Sequence, residues 1–206
     1  MIALIDYDAG NMKSVEKALQ ALGQAVEPTR DPQKLLAADK VILPGVGAFG
    51  DAMENLQNFH LTEVIRQIIE KGTPFLGICL GMQLLFETSE EAPGVPGLGI
   101  LEGKILKIPP ADGLKIPHMG LNSLHLSHEG RLFRKMKEGE YVYFVHSYYL
   151  KAKDEQIVKA SAEYGVEIHA SVERENVFGC QFHPEKSGEV GLQMLRNFAK
   201  LTEVGK

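Results

Sequence analysis

The tightest constraint on this chain lies where a short apolar run meets a cysteine between glycines, in Pro74-Phe75-Leu76-Gly77-Ile78-Cys79-Leu80-Gly81-Met82-Gln83. Pro74–Ile78 reads as a buried strand, and Leu80–Glu87 as a helix that starts directly after Cys79. A chain that passes from strand to helix within one residue forces strained backbone on that residue. Small neighbours are then needed to avoid clashes. The same alternation recurs upstream. Met1–Tyr7 reads as a buried strand, Asp8-Ala9-Gly10-Asn11 as a turn, and Met12–Leu22 as a helix stopped by Gly23. Gln24–Glu27 fits a short strand closed by Pro28, and Asp31-Pro32 opens a further helical piece. Lys40–Leu43 is a buried strand stopped by Pro44-Gly45, and Leu56–Lys71 one amphipathic helix ending at Gly72. Strand alternating with helix predicts an α/β fold with a parallel sheet.

The second half has a different pattern. Pro93-Gly94-Val95-Pro96-Gly97 is a loop. Ile100–Ile108, Tyr141–Leu150, Ile157–Ala162, Ile168–Val172 and Val177–Phe182 read as strands separated by turns, which predicts an antiparallel extension of the sheet. Ser187–Leu201 closes the chain as a helix. No repeat or linker interrupts residues 1–206, so a single domain is expected. Of the 206 residues, 44% are hydrophobic and 24% charged, ordinary values for a globular protein. A net charge of −5, with no basic run, argues against a nucleic-acid surface. The apolar start Ile2–Ile5 is broken at once by Asp6 and Asp8, so neither a signal peptide nor a membrane span is expected, and the compartment is read as cytoplasmic. Two cysteines are too few for a disulfide scaffold or a cysteine-rich zinc site.

Cys79 resembles a nucleophile elbow with sulfur in place of a serine oxygen. A thiol at a helix N-terminus is favoured as thiolate, and the N–H of Leu80 is free to face a developing oxyanion. A cysteine buried at a strand end for packing would share this local pattern. About a hundred positions later comes Gln181-Phe182-His183-Pro184-Glu185. Pro184 biases His183 toward extended backbone, and residues two apart in an extended segment point the same way. Glu185 could therefore orient the His183 ring, although a surface loop could carry the same residues by chance. Pro44-Gly45-Val46-Gly47-Ala48-Phe49-Gly50 follows a strand. It can aim main-chain N–H groups at an anion or serve as an ordinary turn, and it lacks the P-loop pattern. Cys180 reads as core. His118, His125, His128, His146 and His169 lack metal-like spacing and read as exposed or locally hydrogen-bonded. Tyr141, Tyr143 and Val145 share one strand face and read as sheet packing.

Taken together, Gly77-Ile78-Cys79-Leu80-Gly81-Met82-Gln83 and His183-Pro184-Glu185 resemble the class I glutamine amidotransferases. Further segments narrow the resemblance: Asp8–Val15, Pro44–Phe49, Pro117-His118-Met119-Gly120-Leu121-Asn122, Tyr143–Tyr149 and His183–Gly188. They are similar to the branch that serves histidine biosynthesis by passing ammonia to a (β/α)8-barrel cyclase subunit in a heterodimer. The resemblance implies a doubly wound, flavodoxin-like and mostly parallel sheet. It also implies hydrolysis of glutamine through a Cys79 γ-glutamyl thioester, with His183 as acid and base and Glu185 orienting it. Gly45, Val46 and Leu80 would bind the oxyanion, and the peptide at Gly45-Val46 can point away from it at rest. Gly47, Gln83, Glu91, Ser147 and Tyr148 would hold glutamine, with Glu87 and Glu90 as alternatives to Glu91. Asn11, Met119, Leu121, Tyr143 and Lys186 would face the cyclase. Leu121 stands where the family usually carries tryptophan. No cofactor or metal is implied. The alternatives are another class I subunit, serving vitamin B6, anthranilate or folate synthesis, a stand-alone γ-glutamyl amide hydrolase, or a non-catalytic binding subunit.

Overall fold

A computed structural model describes residues 1–127 and 129–202. In chain order its elements are β1 (Ile2–Ile5), α1 (Met12–Ala21), β2 (Val26–Thr29), α2 (Pro32–Ala37), β3 (Lys40–Leu43), α3 (Phe49–Asn58), α4 (Leu61–Glu70), β4 (Phe75–Ile78) and α5 (Leu80–Gln83). Then come β5 (Thr88–Ser89), β6 (Gly103–Lys107), β7 (His118–Ser123), β8 (His125–Leu126), β9 (Tyr141–His146), β10 (Tyr148–Ala152), β11 (Val158–Glu163), β12 (Glu167–Arg174), β13 (Val177–Cys180) and α6 (Gly188–Ala199).

The main sheet has the order β2-β1-β3-β4-β13-β12-β11-β8. The five strands from β2 to β13 are parallel, and β12, β11 and β8 continue antiparallel. The inner parallel strands β1, β3, β4 and β13 are buried on both faces, as their apolar runs require, whereas the edge strand β2 is half-buried. Alternate residues feed two cores. Ala3, Ile5, Val41, Leu43 and Phe75 pack under α2, α3 and α4, whereas Ile2, Leu4, Ile42, Leu76 and Ile78 pack under α1 and α6. Leu61, Ile65 and Ile68 of α4 are fully covered. Each such aliphatic side chain contributes about 1.5–3 kcal/mol by leaving water. The sheet is thus doubly wound, with the antiparallel extension on one flank.

Two smaller sheets sit beside it: β10-β6-β5, and a β7/β9 ribbon in which His118 faces His146 and Leu121 faces Tyr143. This ribbon corrects two expectations. Tyr141–Leu150 is two strands in different sheets, because the chain turns at Ser147, and β7 had no counterpart in the sequence reading. The face bearing Tyr141, Tyr143 and Val145 is also only partly covered. Tyr141 is 59% exposed, and the opposite face, with Val142, Phe144 and His146, is the buried one.

Other differences are local. The expected helix Leu56–Lys71 is two helices, α3 and α4, broken where His60 takes φ 56°, and α3 starts earlier, at Phe49. Leu80–Glu87 shrinks to the single turn α5. Pro28 lies inside β2, which a proline can do on an edge strand. His118, His146 and His169 are buried and hydrogen-bonded, whereas His125 is exposed and pairs with Glu138. His128 lies outside the described residues. Among the described residues no helix is long and apolar enough to cross a membrane.

Candidate active site

Cys79 follows β4 directly, with φ 54° and ψ −112°. Only a tight surround keeps a side-chain-bearing residue there. The neighbouring glycines allow that surround. A Cβ on Gly77 would come within 2.6 Å of the Gly81 carbonyl oxygen, and one on Gly81 within 1.8 Å of the Leu43 carbonyl oxygen. Alanine at either position would push strand and helix apart. The Leu80 N–H opens α5, where no intrahelical acceptor exists. With one turn of helix behind it, the macrodipole at the thiol is smaller than a long helix would give.

β13 lies next to β4 and parallel to it, with Cys180 opposite Ile78, and the Cys79 N–H donates to the Cys180 carbonyl at 2.7 Å. Parallel pairing makes both strands end at the same edge. The residues that leave β13, Gln181 to Glu185, therefore arrive beside the sulfur of Cys79. His183 is extended, but Glu185 sits on a 3-10 turn (Pro184–Lys186), so the expected extended segment is replaced by a sharper one. The turn still brings Glu185 Oε1 within 2.7 Å of His183 Nδ1, and both side chains are fully buried.

His183 Nε2 is buried without a hydrogen-bond partner among the described residues. Cys79 Sγ lies 4.0 Å from the Val145 carbonyl oxygen, and the sulfur is near enough to the ring to act on its charge. Burial alone would lower the His183 pKa. Cys79 and Glu185 overcome it and raise the imidazole to about 9. The ring is thus held in its charged form at neutral pH. Such a pair can deliver sulfur to a carbonyl carbon and a proton to the group that leaves.

A cavity of about 390 Å³ opens over Cys79, with His183 buried behind the sulfur and outside the cavity lining. Val46, Gly47, Leu80, Gln83, Glu91, Ser147 and Tyr148 all line it together with Cys79. Glu91 Oε2 accepts from the Phe49 N–H at 2.9 Å, which ties it to the start of α3. Glu87 and Glu90 instead accept from Gly103 and Lys107 and do not line the cavity. Gly45 is buried beneath the same turn, where the buried Tyr7 hydroxyl donates to the Pro44 carbonyl at 2.8 Å.

Three residues beside the sulfur and its partners were not legible in these roles. Gln181 Nε2 lies 3.6 Å from Cys79 Sγ, and its Oε1 accepts from Gln83 Nε2 at 2.9 Å. His146 lines the cavity. Asn11, expected to face a partner, donates from Nδ2 to Glu185 Oε1 and lies 3.3 Å from His183 Nδ1. It reaches them because it takes φ 73° in the tight turn before α1. Of the other residues expected to face a partner, Met119 and Leu121 are 62% and 64% exposed. Tyr143 is half-buried. Its carbonyl accepts from the His183 N–H, its N–H donates to Ser187 Oγ, and Lys186 Nζ stands 5.7 Å over its ring.

The family model for class-I glutamine amidotransferases matches residues 3–201. The HisH subunit of imidazole glycerol phosphate synthase from Moorella thermoacetica is 52% identical over 97% of this chain and 94% of its own length. The one from Methanocaldococcus jannaschii is 48% identical over 98% and 100%. Among solved structures, a glutamine amidotransferase crystal structure superposes with a TM-score of 0.75 at 20% identity, covering 97% of this chain and 98% of that one. The glutaminase domain of Trypanosoma brucei CTPS, with bound acivicin, superposes with a TM-score of 0.69 at 16% identity over 100% and 96%. These two speak to the fold. Sequence likeness over nearly the whole length goes further, and the chain belongs to the class-I glutamine amidotransferases, in the branch of imidazole glycerol phosphate synthase HisH subunits.

Proposed function

We infer that this chain is the glutaminase subunit of an imidazole glycerol phosphate synthase, acting in histidine biosynthesis, and that Cys79, His183 and Glu185 carry its chemistry. The observation that supports the residue assignment best is the adjacency of β4 and β13. It sets a strained cysteine beside a buried histidine whose far nitrogen is held by a carboxylate.

Glutamine enters the cavity with its side-chain amide toward Cys79. The sulfur attacks the amide carbon, and the carbonyl π electrons move onto oxygen. The N–H groups of Leu80 and of the Gly45-Val46 turn stabilise that oxyanion. His183 gives its Nε2 proton to the amide nitrogen, the C–N bond breaks, and ammonia leaves behind a γ-glutamyl thioester. Water then attacks the thioester while His183 takes its proton. Sulfur is expelled, glutamate is released, and the proton stays on His183 for the next turnover. Glu185 holds Nδ1 throughout and balances the imidazolium. Gly47, Gln83, Glu91, Ser147 and Tyr148 hold the amino-acid end of glutamine.

Ammonia passes to a cyclase subunit, a (β/α)8 barrel in a heterodimer with this chain. The exposed Met119 and Leu121 give the β7/β9 ribbon an apolar face suited to that partner. Glutamate release is the test, measured for the chain alone, with the cyclase, and with cyclase plus its nucleotide ligand. Stimulation at each addition is expected. Fast turnover by the lone chain, unchanged by the partner, would overturn the coupled reading.

A further inference from the structure

We propose that His118 and His146 are positioning residues for glutamine, a hydrogen-bonded pair whose fixed tautomers hold the Tyr148 carbonyl, and through it Gln83, beside the nucleophile. The proposal rests on the reading of the cavity as the glutamine site.

The direction of every bond in this chain of contacts follows from elementary donor and acceptor counting. His146 Nδ1 lies 2.9 Å from the Tyr148 carbonyl oxygen. A carbonyl only accepts, so Nδ1 carries the hydrogen. In a neutral ring Nε2 must then accept, and its neighbour at 2.9 Å is His118 Nδ1. His118 therefore also carries its hydrogen on Nδ1, and its Nε2 accepts. The group 3.3 Å from that nitrogen is Asn122 Nδ2. The Asn122 amide is oriented independently, since its Oδ1 accepts from the Ser123 N–H at 2.8 Å and its Nδ2 donates to the Glu163 carbonyl at 2.9 Å. No step sets donor against donor.

Beyond Tyr148 the contacts continue to the sulfur. The Tyr148 carbonyl also accepts from Gln83 Nε2 at 3.0 Å, Gln83 Nε2 donates to Gln181 Oε1, and Gln181 Nε2 faces Cys79 Sγ. The Tyr148 carbonyl is thus an acceptor shared by the histidine pair and the cavity wall. Both rings are buried, and His118 is clamped between Phe144 and Tyr164 at centroid distances of 4.7 and 3.8 Å. Burial lowers His118 to about 4. It also lowers His146 to about 3, assisted by the neighbouring His118 and His183 and opposed by the bond to Tyr148. The pair is therefore neutral at working pH, so one tautomer of each ring persists. A histidine pair serving only to fill the core would need neither a cavity-lining member nor a shared acceptor with Gln83.

The first test leaves the wild-type chain intact. Nitrogen-15 spectra of histidine-labelled chain in complex with the cyclase should show both rings neutral and protonated at Nδ1 near pH 7. A ring protonated at Nε2 alone would overturn the proposal. The second test is steady-state glutaminase kinetics of the complex carrying His146→Leu, which removes the donor to Tyr148, or His118→Phe, which keeps the stacking and removes the donor to His146. Each should raise KM for glutamine at least tenfold with kcat within about threefold. His146→Gln, which can donate and accept, should recover most of the loss. KM within twofold of wild type in folded His146→Leu, or loss confined to kcat in proportion to fewer active molecules, would show the pair to be structural only. Absence of glutamine turnover by the wild-type complex would instead sink the functional reading and leave the ring spectra to judge the pair.

Discussion

Two cysteines end adjacent parallel strands in this protein, and the chain treats them oppositely. Cys79 comes one residue past β4, and Cys180 is the last residue of β13. They are joined by a main-chain hydrogen bond, and both are buried, at 6% and 0% exposure. Yet Cys79 is turned to φ 54° and interacts with His183, whereas Cys180 stays in the strand with its thiol in the core. Burial pushes the Cys180 thiol well up, and the charges of Glu185 and Cys79 add to this. The difference is made by the neighbours of each residue rather than by sulfur. Gly77 and Gly81 let strand and helix close around Cys79, while Cys180 follows one glycine and continues the strand. On the proposed assignment, reactivity is a property of backbone geometry and of the imidazole that this geometry delivers.

The comparison breaks first if Cys79 proves dispensable. Cys79→Ala should lower glutaminase activity by at least about a thousandfold, because the proposed thioester needs that sulfur. Assembly with the cyclase should survive, since the ribbon face is untouched. A glutamine-like electrophile should label Cys79 stoichiometrically and leave Cys180 unlabelled. Label on Cys180 would end the contrast.

Asn11 is the next largest lever. Its Nδ2 donates to the carboxylate that orients His183. Hydrogen bonds to charged groups are worth about 1.5–3 kcal/mol, so Asn11→Ala should lower kcat about 10- to 100-fold. A change confined to cyclase affinity would return Asn11 to the role its sequence context suggested. That context is instructive. The elbow was legible in the sequence because three signals coincide there: an apolar run, two glycines at fixed spacing and the start of a helix. The parallel core followed from strands alternating with helices. Asn11 was not legible as a support for Glu185, because its reach depends on a positive φ in a turn 174 residues away in sequence. Gln181 was hidden for a similar reason. It reads as strand continuation until β13 is known to lie beside β4. The break between α3 and α4 carries neither glycine nor proline, so periodicity ran through it. β7 escaped because His118-Met119-Gly120-Leu121-Asn122-Ser123 exposes the apolar Met119 and Leu121 and buries the polar His118, the inverse of the pattern that marks a strand.

Acidity offers a subtler way to sharpen the contrast. His183 is raised to about 9 with Cys79 as one cause, so removing the sulfur should lower its titration point. Nitrogen-15 spectra should show His183 losing its proton near pH 9 in wild type and at clearly lower pH in Cys79→Ala. The linked stability has a definite sign. The raised pKa contributes stability fully present below the unfolded value of about 6.5 and lost as pH rises through about 9. Activity should fall over the same upper range, because the leaving ammonia needs that proton. An unchanged titration in Cys79→Ala would mean that Glu185 alone holds the ring charged.

The smallest effect is expected at Cys180. Its side chain is fully buried in the core, so Cys180→Ala should leave a small void and cost about 1–2 kcal/mol of stability by chemical denaturation. Its functional contribution is the carbonyl that accepts the Cys79 N–H, and alanine keeps that carbonyl. KM and kcat should therefore stay within about twofold of wild type. Cys180→Ser is the sharper probe. It keeps the volume closer but places a hydroxyl where no partner is arranged, at about 1–3 kcal/mol. If both variants lose stability but not activity, position 180 serves the elbow through its main chain alone. Altered kinetics in the alanine variant would show that the packing of the β13 side chain also sets the angle at which Cys79 leaves β4.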